Sequence, residues 1–432
     1  MLEKIINYLL LIFLFTLPWQ TRYIILAGSL KNNYWEYGTL AIYASDILLI
    51  IIFILKIINN YLNKIKFKLA ASTIWLIILS IGLLLANLFF SLNKLITLEH
   101  ITWLILAIII FIILQQTTLK KSTALLAFIT GAALSGLLGL WQFITQSSFA
   151  STILGLATHD PNNLGVSVVE AIAPDGVTER WLRAYGSLDH PNMLGGLMFA
   201  GLIFSLYFIV KENSKSKKNI LIMASLIALM GGLITSFSRA GWIAIFISVI
   251  IFIFYSLRNK QIKSKEVWSF FIINFIMIVL LALPYYYLFV PRFSTATRLE
   301  KISAEERYSG YKESWSVIKH HPIIGSGLGT YGLALEKINS KEQVWFYQPA
   351  HNIFLLLLGE TGLAGLILFI YAIYLIFKKS TADSTNRNII ISVICGLFIL
   401  GLLDHWLISL HFGLLFMATV LAIALKPQTD LR

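Results

Sequence analysis

Pro349-Ala-His-Asn-Ile-Phe-Leu-Leu-Leu-Leu-Gly-Glu-Thr-Gly-Leu-Ala-Gly365 places a polar Pro-Ala-His-Asn step at the mouth of a long apolar run. Such a run reads as a helix crossing lipid, with a histidine held at its surface. A histidine there, next to a long polar loop, is a candidate for proton transfer. The rest of the chain repeats the pattern. It has 432 residues, of which 58% are hydrophobic and 13% charged, with a mean hydropathy of +0.79. A soluble fold has no use for so much apolar surface, so the composition points to a multi-pass membrane protein. Apolar runs predict about twelve spans, at roughly 4–20, 38–57, 70–92, 97–116, 122–146, 192–210, 219–237, 240–257, 268–289, 351–377, 388–406 and 409–425. The expected fold class is all-α, a single integral membrane domain over 1–432. Ile5 to Leu17 reads as a retained first span, since no small-residue cleavage site follows it.

The net charge is +13, but its placement argues against nucleic acid. Lys and Arg concentrate in alternate short connections, at 56–68, 115–121, 211–218, 258–266 and 378–387. The positive-inside rule makes that side cytoplasmic, with both termini on it. Cys395 is the only cysteine and lies in an apolar run, which excludes a disulfide framework and a cysteine metal site.

The special residues collect on the opposite, outer side. All eight histidines fall there: His100, His159, His190, His320, His321, His351, His405 and His411. Two segments are too long for plain connections. One is an outer loop at 147–191, ending in Arg180-Trp-Leu-Arg-Ala-Tyr-Gly-Ser-Leu-Asp-His-Pro-Asn192. The other is a large outer loop at 290–350, between spans nine and ten, with a helical-looking part from Ala304 to His321. Both are expected to carry short amphipathic helices at the interface. Arg239 sits near membrane depth between two apolar helices, where a cation is costly without a compensating anion.

Four motifs in order carry a resemblance. Asp189-His-Pro-Asn192, Ser238-Arg-Ala-Gly-Trp242, His321-Pro-Ile-Ile-Gly-Ser-Gly-Leu-Gly329 and Pro349-Ala-His-Asn352 look like the motifs of the O-antigen ligase and O-antigen polymerase superfamily. By motif the resemblance covers roughly 180–370, and by topology the whole chain. It implies a GT-C-type glycosyltransferase architecture. The implied donor is an undecaprenyl-diphosphate-linked glycan, transferred to a hydroxyl on the outer face of a bacterial inner membrane. Ligase, polymerase and protein O-oligosaccharyltransferase all remain open, because the motifs do not name the acceptor.

The residues suit that chemistry. Diphosphate is a good leaving group and needs positive charge around it; arginine grips phosphate oxygens two at a time. No Asp-x-Asp pair occurs, which favours a metal-independent reaction without cofactors. Arg239, Arg183 and Arg307 are the candidate diphosphate ligands. An ion-paired arginine at a helix end is the competing reading, most of all for Arg307 beside Glu300, Glu305 and Glu306. His351 is the candidate catalytic base, since neutral imidazole takes a hydroxyl proton near pH 7; the competing reading is a capping histidine. Asn352, His190, Asn192 and Ser238 are candidate supporting residues, although His-Pro-Asn also reads as a rigid turn and cap. Adjacent His320 and His321 read as structural and not as metal ligands. Gly325, Gly327 and Gly329 predict a tight turn against the membrane face, and Glu360 a buried polar contact. Asp404-His405 and His411 flank the last outer turn, with no role fixed by sequence. Trp345, Phe346, Tyr347, Tyr308, Tyr311, Trp315 and Tyr331 suit stacking on sugar, or equally an interfacial aromatic belt. The expected partners are the lipid-linked donor, a lipid or glycan acceptor, and membrane lipid. A transporter of lipid-linked glycan is the rival of a different class. Its usual paired halves and deep charges are missing, Asp46 being the nearest exception.

Overall fold

A computed structural model describes residues 1–64, 71–174, 176–211, 217–259, 264–293, 297–382 and 387–427. Parts of the basic connections (65–70, 212–216, 260–263 and 383–386) and the end of the chain, 428–432, lie outside the described residues.

The chain opens with helix α1 (Leu2–Thr16), followed by short strands β1 (Arg22–Leu26), β2 (Ser29–Leu30), β3 (Asn33–Tyr34) and β4 (Leu40–Tyr43). Then come the helices α2 (Ala44–Leu62), α3 (Ala71–Phe90), α4 (Lys94–Gln116) and α5 (Lys121–Thr145). A hairpin of β5 (Val168–Ile172) and β6 (Thr178–Leu182) precedes α6 (Pro191–Lys211), α7 (Lys217–Thr235), α8 (Arg239–Arg258) and α9 (Ser264–Ala282). The short α10 (Tyr286–Phe289) leads to the polar helix α11 (Arg298–His320) and to α12 (Tyr331–Ile338). The chain closes with α13 (Ile353–Ala382), α14 (Arg387–Leu403), α15 (Trp406–Ser409) and α16 (His411–Leu425). The strands pair antiparallel as β1–β4, β2–β3 and β5–β6.

The fold is that of an all-α polytopic membrane protein with small hairpins between helices. Among the described residues, six helices are long and apolar enough to cross a membrane, or up to seven if the bent pair after Trp268 is one span. These are α2, α4, α5, α6, α8 and α13; shorter apolar helices include Ile74–Phe90, Ile220–Thr235, α14 and α16. Their outward faces carry large apolar side chains such as Ile47, Ile50, Phe246 and Ile250, all exposed. An apolar surface this extensive suits lipid. Two expectations need correcting. The 147–191 segment holds a β hairpin where short interfacial helices were expected. The helical part of the large loop starts at Arg298, not Ala304.

Helix α6 is the hub. It packs against α5, α7, α8 and α14, and 94% of its span is enclosed by protein. A helix buried all round is apolar all round, as Met193–Val210 is. Its first turn has small residues where neighbours come close. A Cβ on Gly195 would stand 2.4 Å from the Ser238 Cβ, and one on Gly196 would stand 2.4 Å from the Trp406 ring. These two glycines therefore draw the starts of α8 and α15 onto the same end of α6.

Helix α13 is broken. Gly362 has φ +64° and ψ −170°, inside what its hydropathy reads as one continuous span. The backbone groups freed by the break pair with the glycine-rich loop. Ser326 N donates to Gly359 O (2.9 Å), Gly327 N to Glu360 O (3.0 Å), and Leu363 N to Pro322 O (2.9 Å). Irregular backbone at this depth persists because protein satisfies it. The tight glycine turn is thus present and seated on the break. Glu360 is buried and accepts from Tyr331 N at 3.4 Å, as the buried-contact reading expects.

Candidate functional site

His351 stands just before α13, in the loop that follows the turn Val344–Phe346. Its neighbour Asn352 is the helix cap: the Asn352 Oδ1 accepts from Phe354 N (2.9 Å) and Leu355 N (3.2 Å). Capping by Asn352 satisfies the first free amides of α13 and fixes where the His351 ring emerges.

The His351 Nδ1 lies 3.4 Å from Asp404 Oδ1, in the turn between α14 and α15. With Nδ1–H directed at the carboxylate, Nε2 keeps its lone pair for a substrate proton. Asp404 Oδ1 also accepts from His405 N at 2.8 Å. Asp404 Oδ2 accepts from Asn192 Nδ2 at 2.6 Å, and Asn192 Oδ1 accepts from Arg183 Nη2 at 2.8 Å. One hydrogen-bonded line therefore runs Arg183–Asn192–Asp404–His351. Arg183 is buried, and its Nε donates to Ser236 O at 2.9 Å. The line joins segments distant in sequence: Pro191 and Asn192 open α6, and the two glycines after them admit both neighbours.

His190 belongs to the surround. Its Nδ1 accepts from Asn192 N (3.1 Å), and its Nε2 contacts Ser167 Oγ (3.1 Å). Ser238 caps α8 through Gly241 N (3.2 Å) and so sets the direction of Arg239.

A second group of cations lies close by. Arg239 Nη1 is 3.1 Å from Glu300 Oε2, and Arg292 pairs with the other oxygen of the same carboxylate. Arg307 acts electrostatically on both Arg239 and Arg292, while Arg292, Glu300 and Arg239 all act on Arg183. Four arginines thus share one field, in which Glu300 pairs with two of them. The Nε atoms of Arg239 and Arg292 are buried and without a hydrogen-bond partner among the described residues. A buried donor without an acceptor is costly, and an anion would satisfy both.

Charge states follow from burial. Burial, then neighbouring Arg292, pushes the Arg183 guanidinium down to about 9, which leaves it cationic at neutral pH. Burial likewise lowers Arg292, against the pull of Glu300. Burial and then Arg183 take His190 down to about 3, and burial takes His405 to about 4. Both imidazoles are neutral at pH 7. Burial alone would raise Asp404; the hydrogen bond from His351, foremost among its histidine neighbours, outweighs it and holds the carboxyl well below the usual range.

His351 opens into a cavity of about 320 Å³, whose walls also carry Arg307, Tyr311, Glu313, Trp345 and Asn352. Among the expected site residues the structure brings His351, Asn352 and Arg307 to this cavity. Arg183, Asn192 and His190 reach it only through Asp404, and Arg239 through Arg307's field. Of the outer aromatics, Tyr331 and Tyr347 are core residues, the Tyr347 hydroxyl donating to Asn339 O at 2.7 Å. Tyr308 and Trp315 point to the surface, each under a lysine, Lys312 and Lys319. His320 is exposed, with Nδ1 2.8 Å from Ser316 O.

Sequence reasoning did not assign Asp404 or Arg292. The available signals were the Asp404-His405 pair closing an apolar helix, and one cation, Arg292, just past another. A metal has a possible seat. Ligand atoms of His351, Asp404 and His405 lie within 4.8 Å of one another. Two imidazoles and a carboxylate suit a divalent transition ion. His405 Nδ1 meets Ser409 Oγ at 2.7 Å, which turns its Nε2 toward Asp404 (3.9 Å).

A helical membrane protein with a His–Asp pair beside an arginine field is the class that fold and site define. Residues 223–370 match the family model described as O-Antigen ligase. That segment contains Arg239, Arg292, Arg307 and His351, and the match supports the O-antigen ligase superfamily for this chain. No curated protein matches the chain.

Proposed function

We propose that this protein is a membrane glycosyltransferase of the O-antigen ligase type. In this reading it takes an oligo- or polysaccharide from undecaprenyl diphosphate and places it on an acceptor hydroxyl. Arg239, Arg183 and Arg292 hold the diphosphate, with Arg307 between them and the cavity. The acceptor oxygen attacks the anomeric carbon as the carbon–oxygen bond to phosphate breaks. Its proton passes to His351 Nε2, and the electron pair leaves with undecaprenyl diphosphate. Direct displacement inverts the anomeric centre. Asp404 holds the imidazole in the required tautomer and steadies the imidazolium that forms. The arginine field absorbs charge as it develops on the leaving group.

The observation that carries this reading is the His351–Asp404 pair at the wall of a cavity that Arg307 shares. A twelve-span GT-C architecture, cytoplasmic termini and a site facing the periplasm of a bacterial inner membrane complete it. His351→Ala and Arg239→Ala, each assayed for transfer from carrier-linked glycan, should lose activity; transfer that survives both overturns it. Deleting the gene and sizing carrier-linked and acceptor-linked glycan then separates the classes. Long glycan stranded on the carrier means a ligase, single repeat units in both pools mean a polymerase, and no change points to a transporter or scaffold and overturns the assignment.

A second reading has its own observation, the His351–Asp404–His405 group. A metal there would occupy the base. We take the reaction as metal-independent because arginines already stand where a diphosphate needs positive charge. Full activity after exhaustive chelation is expected, and restoration by one divalent ion after loss would favour the metal.

A further inference from the structure

The cavity beside His351 has a composition that the transfer chemistry does not by itself require. Beside Arg307 and His351 its walls carry Glu306, Ser309, Gly310, Tyr311, Glu313 and Trp345. Glu306, Gly310 and Glu313 recur at helical spacing on α11, so one face of that helix presents carboxylates and a gap to the cavity. Glu342 acts electrostatically on Glu313, as does Glu306. The site is therefore divided in charge. Arg183, Arg239 and Arg292 lie outside the cavity lining, while Glu306 and Glu313 lie on it with Arg307 and His351. Trp345 and Tyr311 are exposed aromatic rings on the same lining, 73% and 55% accessible. They differ from Tyr308 and Trp315 in lining the cavity. Gly310 is the gap: a Cβ built there meets nothing within 4 Å.

We infer that this acidic, aromatic lining is the acceptor subsite, and that it takes a sugar ring without phosphate or carboxylate groups. The inference rests on the function proposed above. Ring faces of Trp345 and Tyr311 stack on the C–H face of a sugar, and carboxylates accept its hydroxyl protons. A phosphorylated ring would bring like charge against Glu306 and Glu313, which rejects it. The diphosphate donor is steered to the arginines by the same field. The reacting hydroxyl is delivered to His351, on that lining.

The test fills the gap. Gly310→Leu puts a side chain into the cavity and improves helix propensity at a mid-helix position. It is assayed as full-length protein in detergent, with carrier-linked glycan as donor. The acceptor is a glycolipid extract of the host envelope, split into neutral and phosphorylated fractions by anion exchange. Gly310→Leu should raise the acceptor KM at least ~10-fold, with donor KM unchanged and the melting temperature kept or raised. Trp345→Ala, which leaves α11 untouched, should do the same. Wild type should use the neutral fraction, and Glu306→Gln/Glu313→Gln should admit the phosphorylated one. An unchanged acceptor KM in both Gly310→Leu and Trp345→Ala, or a donor KM that rises as much, overturns the subsite. So does wild-type preference for the phosphorylated fraction. If His351→Ala still transfers, the underlying function fails instead, and the two failures are told apart.

Discussion

At the scale of single residues, the site turns on one carboxylate. Asp404 binds His351 on one oxygen and Asn192 on the other, so it both orients the imidazole and ties it to Arg183. Asp404→Asn keeps the shape but can present an N–H to Nδ1, which favours the tautomer with its proton on Nε2. Transfer should fall on the order of 10²–10⁴-fold in kcat with acceptor KM little changed. A fall confined to KM would show that Asp404 only shapes the pocket. The neighbouring imidazoles add a pH dependence of stability. His405 titrates at about 4 when folded, below the ordinary value near 6.5, because burial disfavours its charged form. Below about pH 6.5 the unfolded chain binds a proton that the folded chain does not. Stability should therefore drop between about pH 6.5 and 4, by up to roughly 1.4 kcal/mol per pH unit for this group. His405→Asn should flatten the melting temperature against pH over that window; an unaltered slope would show that His405 is not held neutral. His351 and Arg239 were legible in sequence because each stands alone in an apolar setting. Asp404 was not, since its partner lies 53 positions away and only the packing of α14 beside α13 joins them. Asn352 and Ser238 were legible as neighbours of the site, yet their structural work is capping.

At the scale of elements, the broken helix α13 sets the geometry of the large loop. Gly362 occupies a backbone region that is nearly closed to other residues, and a Cβ there would stand 2.2 Å from Ile323 C. Gly362→Ala should thus lower thermal stability, by about 1–3 kcal/mol, and loosen the seat of Pro322 to Gly329. Gly82 lies in α3 with nothing within 4 Å of its Cβ position. Gly82→Ala is the control, expected to be neutral or to stabilise by up to ~1 kcal/mol. Melting curves of the two purified variants decide it: equal curves would mean that the break carries no strain. Hydropathy reads 351–377 as one span because Leu, Ile and Phe continue on both sides of Gly362. The break is encoded in a long-range pairing, Leu363 N to Pro322 O, that no local pattern reveals. The β5–β6 hairpin escaped for a related reason: Val168–Ile172 is short and its partner follows a five-residue turn, so neither half gives a sustained period.

At the scale of the whole molecule, the asymmetric charge has two physical uses. As a topology signal it supports the proposal that the lysine-rich end is cytoplasmic. Some of those lysines also bind helix ends. The Lys426 Nζ donates to Leu114 O (2.7 Å) and Thr117 O (3.0 Å), the Lys121 Nζ to Ala424 O (2.8 Å), and Lys56 pairs with Glu3 at 3.0 Å. Cations at the last carbonyls of α4 and α16 complement both helix dipoles. The end with His351 instead gathers its charge near the His351–Asp404 pair, with Arg307, Glu306 and Glu313 on one cavity lining. If the basic end is cytoplasmic, the site must face outward, where a glycan donor arrives on a lipid carrier. The two ends can be addressed separately. In a Cys395→Ala background, Tyr308→Cys marks the exposed surface of α11 and Lys120→Cys marks the exposed start of α5. A membrane-impermeant maleimide added to intact spheroplasts should label Tyr308→Cys at once and Lys120→Cys only after lysis. The opposite order would put the His–Asp pair and the arginine field in the cytoplasm. The donor would then have to be read before export, and transfer to a surface acceptor could not be this protein's reaction.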